Sequence, residues 1–179
     1  MSAARIAPGG RRDVGLFTWA LSHVAGRVAR TEPLHLFLTL GRHRKLFRRW
    51  LWFAGGLMPG GTLPRRESEL VILRVAHLRS SSYELQHHDR LGRRAGLDDA
   101  ELERVAQGSA APGWRPRERA LLGAVEALHR DGDLDDASWA ELRSHLDERE
   151  AIELCMLAGH YEMLATTIAA LRIQPESRR

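Results

Sequence analysis

The chain has 179 residues, of which 44% are hydrophobic and 28% charged, with a net charge of +4 and a sequence pI near 10.1. That length suits one ordinary domain with a real core, and the composition is that of a globular protein, not a disordered or fibrous one. No apolar run reaches the roughly 18 residues of a bilayer span and Met1–Arg12 lacks the apolar core of a signal peptide, so the expectation is a cytoplasmic protein with no membrane partner.

A basic excess would suit nucleic acid, but its distribution argues otherwise. Lys45 is the only lysine, so nearly all the positive charge is arginine; the basic excess concentrates in the first sixty residues, notably Arg42–Arg49, and the chain from Asp98 onward is rich in acid. The expectation is an arginine-covered helix face and no nucleic-acid partner. Cys155 is the single cysteine, which excludes an intrachain disulfide, a CxxC redox pair and a thiolate-rich zinc site.

In chain order, residues 1–13 are rich in Gly, Pro and Arg and read as a tail. Val14–Arg30 has Leu16, Phe17, Ala20, Leu21, Val24 and Val28 at helical spacing, predicting an amphipathic helix with that stripe inward. Pro33 suits the first turn of a second helix running to about Phe53, which the glycines and proline of Gly55–Gly61 end. Pro64 opens a helix to about Leu78; Ser80–Ser82 break the pattern and can cap the next, which stops at Gly96. Asp98 with Glu101 forms a capping-box signature for a short helix to about Ala106. Helices follow over Arg115–Arg130, Ala137–Leu146 and Glu148–Leu171, the last apolar nearly all round and therefore central or covered by a second subunit. Nothing alternates with period two, so the fold is expected to be all-α: one domain of seven or eight helices over 14–175. A short echo, Arg66-Glu67-Ser68-Glu69-Leu70 against Arg117-Glu118-Arg119-Ala120-Leu121, is too brief to establish a repeat.

The chemistry concentrates between Glu69 and Gly96. At about 100° per residue, Ser81, Glu84 and His88 fall on the apolar face of their helix, with Tyr83 and His87 towards its polar edge. Glu69 sits among Ile72, Leu73 and Ala76 on the apolar side of the preceding helix. A buried carboxylate needs a partner, and Glu84 and His88 are candidates for one. Carboxylates and a histidine in apolar surroundings suit general acid/base work. Other readings of the same residues stand beside this one. Ser81 and Glu84 match S-x-x-E and could be spent on capping; His88 could be a satisfied core histidine; Glu69 could be a structural ion pair with Arg66 or Arg74. Glu69, Glu84 and His88 could also hold a metal, although nothing resembles HExxH, and no metal or other cofactor is expected. His160 is a further polar point on the last helix, with Tyr161 beside it.

With these residues in view, the run from Arg66 through Gly96 and the C-terminal IELCMLAGHYEMLA resemble the carboxymuconolactone decarboxylase family, within the superfamily that includes AhpD-type alkylhydroperoxidases. The hydroperoxidase motif is a glutamate, a CxxC pair and a histidine four residues on. Here Glu69 and His88 match its ends, while Ser81 and Glu84 replace the cysteines. Peroxide reduction by that motif needs a thiolate and a resolving thiol, so thiol peroxidase activity is expected to be absent. The resemblance implies an AhpD-like helical fold, a homo-oligomer, and cofactor-independent acid/base chemistry, such as decarboxylation, on a small-molecule substrate. Glu69 and His88 would be catalytic, and Ser81, Tyr83, Glu84 and His87 would bind substrate or support them. A non-catalytic oligomeric scaffold that has lost its thiols is the alternative.

Overall fold

A computed structural model of the chain describes residues 3–177. Among these the fold is all-α, with nine helices: α1 (Arg11–Ala29), α2 (His35–Leu40), α3 (Arg44–Leu57), α4 (Arg65–Leu78), α5 (Ser82–Arg94), α6 (Asp99–Gln107), α7 (Pro116–Asp131), α8 (Asp136–His145) and α9 (Glu148–Leu171). The chain partitions into two compact units, residues 3–55 with 167–177, and residues 56–166.

In the first unit, the expected second helix is interrupted by a turn at Gly41–His43 and becomes α2 and α3. Met1 and Ser2 of the expected tail lie outside the described residues, but the remainder is pinned. Arg5 donates from its backbone N–H to Leu171 (3.0 Å), Gly9 does so to Leu38 (3.0 Å), and α1 starts at Arg11. The stripe of α1 is inverted relative to expectation. Val14, Thr18, Ser22 and Gly26 face inward, whereas Leu16, Phe17, Val24 and Val28 are exposed. Close approach explains the inversion: a Cβ at Gly26 would meet the Glu32 carbonyl oxygen at 2.4 Å, and Ser22 Oγ donates to the Leu34 carbonyl at 3.0 Å. Only the small-residue face admits the returning chain. Phe37, Phe47 and Trp50 supply the aromatic centre of this unit.

In the second unit, α4 is the axis, buried over Ser68–Leu73 and again at Val75 and Ala76. Leu70 and Leu73 pack with Leu97, Leu102, Val105, Trp114 and Leu122. Arginines tie α4 to its neighbours. Arg66 donates to Glu118 (3.2 Å) and Glu101 (2.9 Å), and Arg117 returns the pattern with two 2.9 Å bonds to Glu67, plus Glu150 at 2.7 Å. The echoed Arg-Glu pairs of α4 and α7 therefore exchange partners. Burial costs these charges solvation, which the bidentate geometry offsets. Arg66 also pulls the Glu101 carboxyl down to about 2. The Asp98–Glu101 capping box forms as expected, with backbone bonds of 2.8 and 3.0 Å.

Helix α9 is long and apolar enough, by length and composition alone, to cross a bilayer, which corrects the expectation that no segment reaches that threshold. Over the part in this unit it buries Leu154, Leu157, Ala158, Tyr161 and Leu164. Ile152, Met156 and Met163 remain exposed in the single chain, so within one chain the helix is buried on one side only.

Leu122→Ala, in the centre of the core, is expected to lower unfolding free energy by about 3 kcal/mol in urea titrations. Val24→Ser on the outer face of α1 is expected to change it by less than about 0.5 kcal/mol. Equal losses would contradict the orientation of α1.

Candidate functional site

Three helices of the second unit build the site: α4 supplies Arg65 and Glu69, α5 supplies Glu84 and His88 behind Ser81, and α9 supplies His160, Tyr161 and Glu162. Glu69 is fully buried. Its Oε2 lies 2.8 Å from His88 Nδ1, and its Oε1 lies 2.5 Å from the Arg65 guanidinium, one turn back on the same helix. The ion pair expected with Arg66 or Arg74 is thus made by Arg65 instead, because Arg66 is committed to Glu101 and Glu118, and Arg74 to Glu126. The i, i+4 spacing of Arg65 and Glu69 was the available signal.

Glu84 does not join the pair. It is buried at 2% exposure, and neither carboxylate oxygen makes a hydrogen bond among the described residues. Ser81 occupies the N-cap position of α5, but its buried hydroxyl makes no capping bond, so the S-x-x-E capping box does not form. Desolvation pushes the Glu84 carboxyl up to about 7; the nearby Ser81 hydroxyl lowers it, the charge of Glu162 adds to the rise and Arg79 offsets it. A buried acid with no hydrogen bond holds its proton near neutrality, and that is the state in which a carboxyl can either give or take one.

Tyr161 is the residue that sequence reasoning left at the margin. Its ring meets His88 edge-on at 5.2 Å and His160 likewise at 5.2 Å. Burial, with the charges of Glu69 and Glu84, drives its phenol pKa upward, keeping it a neutral O–H. Only folding brings α9 to α5, and no local pattern announces that approach. Burial alone pushes His160 down to about 4, so its imidazole is neutral at pH 7. Tyr83 and His87 stack on each other at 4.8 Å, with an Arg90 nitrogen 3.4 Å from His87 Nδ1.

A cleft of about 330 Å³ opens between α4, α7 and α9, lined by Val75, Val125, Leu128, His129, Cys155 and Glu162 among others. At its polar end Glu162 pairs with His129 (2.6 Å) and Arg79 (3.4 Å), and the same Glu162 carries the charge felt by Glu84. The Cys155 thiol is half-buried and pushed up by that burial, away from the thiolate. Among the described residues, no three His, Cys, Asp or Glu side chains converge as metal ligands, Glu69, Glu84 and His88 included.

The sequence profile of the carboxymuconolactone decarboxylase family matches residues 44–127. No curated protein matches the chain. Among solved structures, the alkylhydroperoxidase AhpD core of a peroxidase-related protein from Ralstonia eutropha is similar, with a TM-score of 0.81 at 17% identity, covering 97% of this chain and 94% of that one. A peroxidase-related protein from Silicibacter aligns with a TM-score of 0.80 at 17% identity, over 89% and 84% of the two chains. The debrominase Bmp8 aligns with a TM-score of 0.81 at 17% identity, over 97% and 92%; a cysteine-to-alanine variant of it is solved with 2,3,4-tribromopyrrole. At these identities the likeness establishes an AhpD-like fold.

Because Glu84 holds its proton to about 7 when folded against an ordinary 4.5, the folded chain binds more protons between those values and loses stability as pH rises through them. Glu84→Gln removes that penalty. It is expected to be more stable than the parent at pH 8 by on the order of 3 kcal/mol, and similar to it near pH 4, in melting curves. Superimposable pH profiles would contradict the assignment.

Proposed function

We propose that this chain, whose residues 44–127 match the model of the carboxymuconolactone decarboxylase family, is a cofactor-independent acid/base enzyme of that family acting on a small organic acid, lactone or enolisable carbonyl compound. The observation that carries this reading is the contrast between two buried carboxyls on adjacent helices. Glu69 has an ion pair with Arg65 at Oε1, although no formed hydrogen bond there, and a hydrogen bond with His88 at Oε2, whereas neither oxygen of Glu84 makes a hydrogen bond among the described residues and its carboxyl keeps a proton near neutral pH. Carboxyls in such unlike surroundings divide the acid and base roles.

In this reading Glu69 accepts from His88 Nδ1, which fixes the tautomer and leaves Nε2 to take or return a substrate proton. Loss of carbon dioxide leaves an electron pair that must be delocalised as a dienolate and then protonated. Glu84 is positioned by burial to supply that proton, and the neutral Tyr161 phenol to donate a hydrogen bond to developing negative charge. Ser81 supports Glu84, while Tyr83 and His87 border the site. Without a CxxC pair, and with Cys155 alone, thiol peroxidase chemistry lacks both its nucleophile and its resolving thiol. The exposed Ile152, Met156 and Met163 of α9 form an uncharged stripe that suits a second copy, which supports the homo-oligomer. That stripe also favours the second reading, an oligomeric scaffold without catalysis, should the cluster prove closed to ligands.

The test is turnover of a panel of unsaturated lactone acids and enolisable keto acids, with small N–H heterocycles added on account of the debrominase neighbour. His88→Ala and Glu69→Gln are each expected to lower kcat by about 10²–10⁴ while circular dichroism stays unchanged. Parent-like turnover in His88→Ala would contradict the catalytic assignment. No turnover across the panel, with no ligand shifting the His88 or Tyr161 resonances, would favour the scaffold.

A further inference from the structure

Helix α3 carries a surface that neither the core nor the candidate site uses. Its inward side presents Phe47 and Leu57, both buried, with Trp50 against Phe37 and Phe47. At about 100° per residue, Lys45 and Trp52 stand at the opposite pole, Arg48 and Arg49 flank them, and Phe53 and Leu46 follow on one side. Trp52 is 86% exposed, Leu46 58% and Phe53 41%. Two neighbouring cations are already spent, since Arg42 pairs with Asp13 (3.6 Å) and Arg44 donates to the backbone carbonyls of Arg12 and Asp13. Among the described residues no carboxylate pairs with Lys45, Arg48 or Arg49. No Asp or Glu occurs anywhere from Pro33 to Arg66.

We propose that this outer face of α3 docks on an anionic phospholipid bilayer, with Trp52, Phe53 and Leu46 at headgroup level and Lys45, Arg48 and Arg49 against lipid phosphates. This departs from the expectation of no membrane partner, which rests on the lack of a spanning segment, and gives a partner to the run expected to be only an arginine-covered helix face. An indole presented at the pole of a basic helix is what distinguishes the two cases: arginines alone are soluble in water, but a nearly fully exposed Trp gains by reaching an interface where its ring is apolar-shielded and its N–H wet. Clustered cations beside it add attraction to anionic lipid, and the combination is the one interfacial helices use. Charge decides against a second copy, because a symmetric contact through α3 would set unpaired cations against each other. The uncharged stripe of α9 has no such obstacle. A nucleic acid would satisfy the cations and could stack on Trp52, but it would leave Leu46 and Phe53 in water, whereas a bilayer accommodates all six side chains.

The experiment is co-sedimentation of the full chain with phosphatidylcholine vesicles with and without phosphatidylglycerol, at low and high salt. Binding is expected only with phosphatidylglycerol, and is expected to weaken at high salt. Lys45→Gln, Arg48→Gln and Arg49→Gln are each expected to weaken it roughly 5-fold, in line with the contribution of one surface cation. Trp52→Ala is expected to weaken it as well, and because these side chains are exposed the variants keep the parent melting temperature. Absence of binding to phosphatidylglycerol vesicles would overturn the proposal, as would undiminished binding by the triple glutamine variant. Light scattering that shows an oligomer dissociated by Trp52→Ala would overturn it in favour of a second copy. A single-stranded oligonucleotide that displaces the chain from vesicles through the same residues, at lower concentration than lipid phosphate, would overturn it in favour of nucleic acid.

Discussion

The second unit depends on holding the Glu69 carboxylate in a place where water cannot reach it. An uncompensated charge there would cost several kcal/mol, more than most single contacts return. Arg65 on the same helix and His88 on the next provide the compensation, one for each oxygen. That requirement fixes the approach of α5 to α4, because the 2.8 Å contact with His88 fails if α5 slides by a residue. It also commits His88 to one ring orientation. The reciprocal bonds between the Arg-Glu pairs of α4 and α7 tie α4 to α7.

Glu84 shows the opposite solution in the same unit. Among the described residues its oxygens make no geometrically formed hydrogen bond; desolvation raises its pKa and outweighs the neighbouring Ser81 hydroxyl, which lowers it. A scaffold that only needed to be stable would gain by an apolar residue at this position, since burial of an unsatisfied carboxyl is a standing cost. In the redox motif of AhpD-type proteins this position holds a thiol, a group of low desolvation cost that can ionise. Under the proposed function, a carboxyl in the same apolar setting serves as a proton carrier, and the helical frame is kept while the chemistry it serves is proton transfer.

Much of this was legible in the residues. Helix boundaries followed from Pro64, the serine run, Gly96, the Asp98–Glu101 box and the turn at Asp131–Asp135, all of which act through local chemistry. The polar points Glu69, Ser81, Glu84 and His88 were legible because they interrupt apolar faces. Four things were not. The inward face of α1 is decided by how closely the chain after Gly26 returns, which hydrophobic periodicity does not encode. Arg65 was passed over for Arg66 and Arg74, whose partners lie on α6 and α7 and are known only after folding. The break between α2 and α3 at Gly41–His43 carries a single glycine. Tyr161 reaches His88 through the crossing of two helices more than seventy residues apart in sequence, a distance at which no motif operates.

The proposed chemistry needs a carboxyl that keeps its proton because it is dry, and titration of Glu84 by side-chain carbon NMR in the full chain measures that directly. A midpoint near 7, with the His88 resonances responding to it, is the predicted result. A midpoint in the ordinary glutamate range, close to 4.5, would mean that water or a partner reaches Glu84, and would contradict the acid/base reading at its centre.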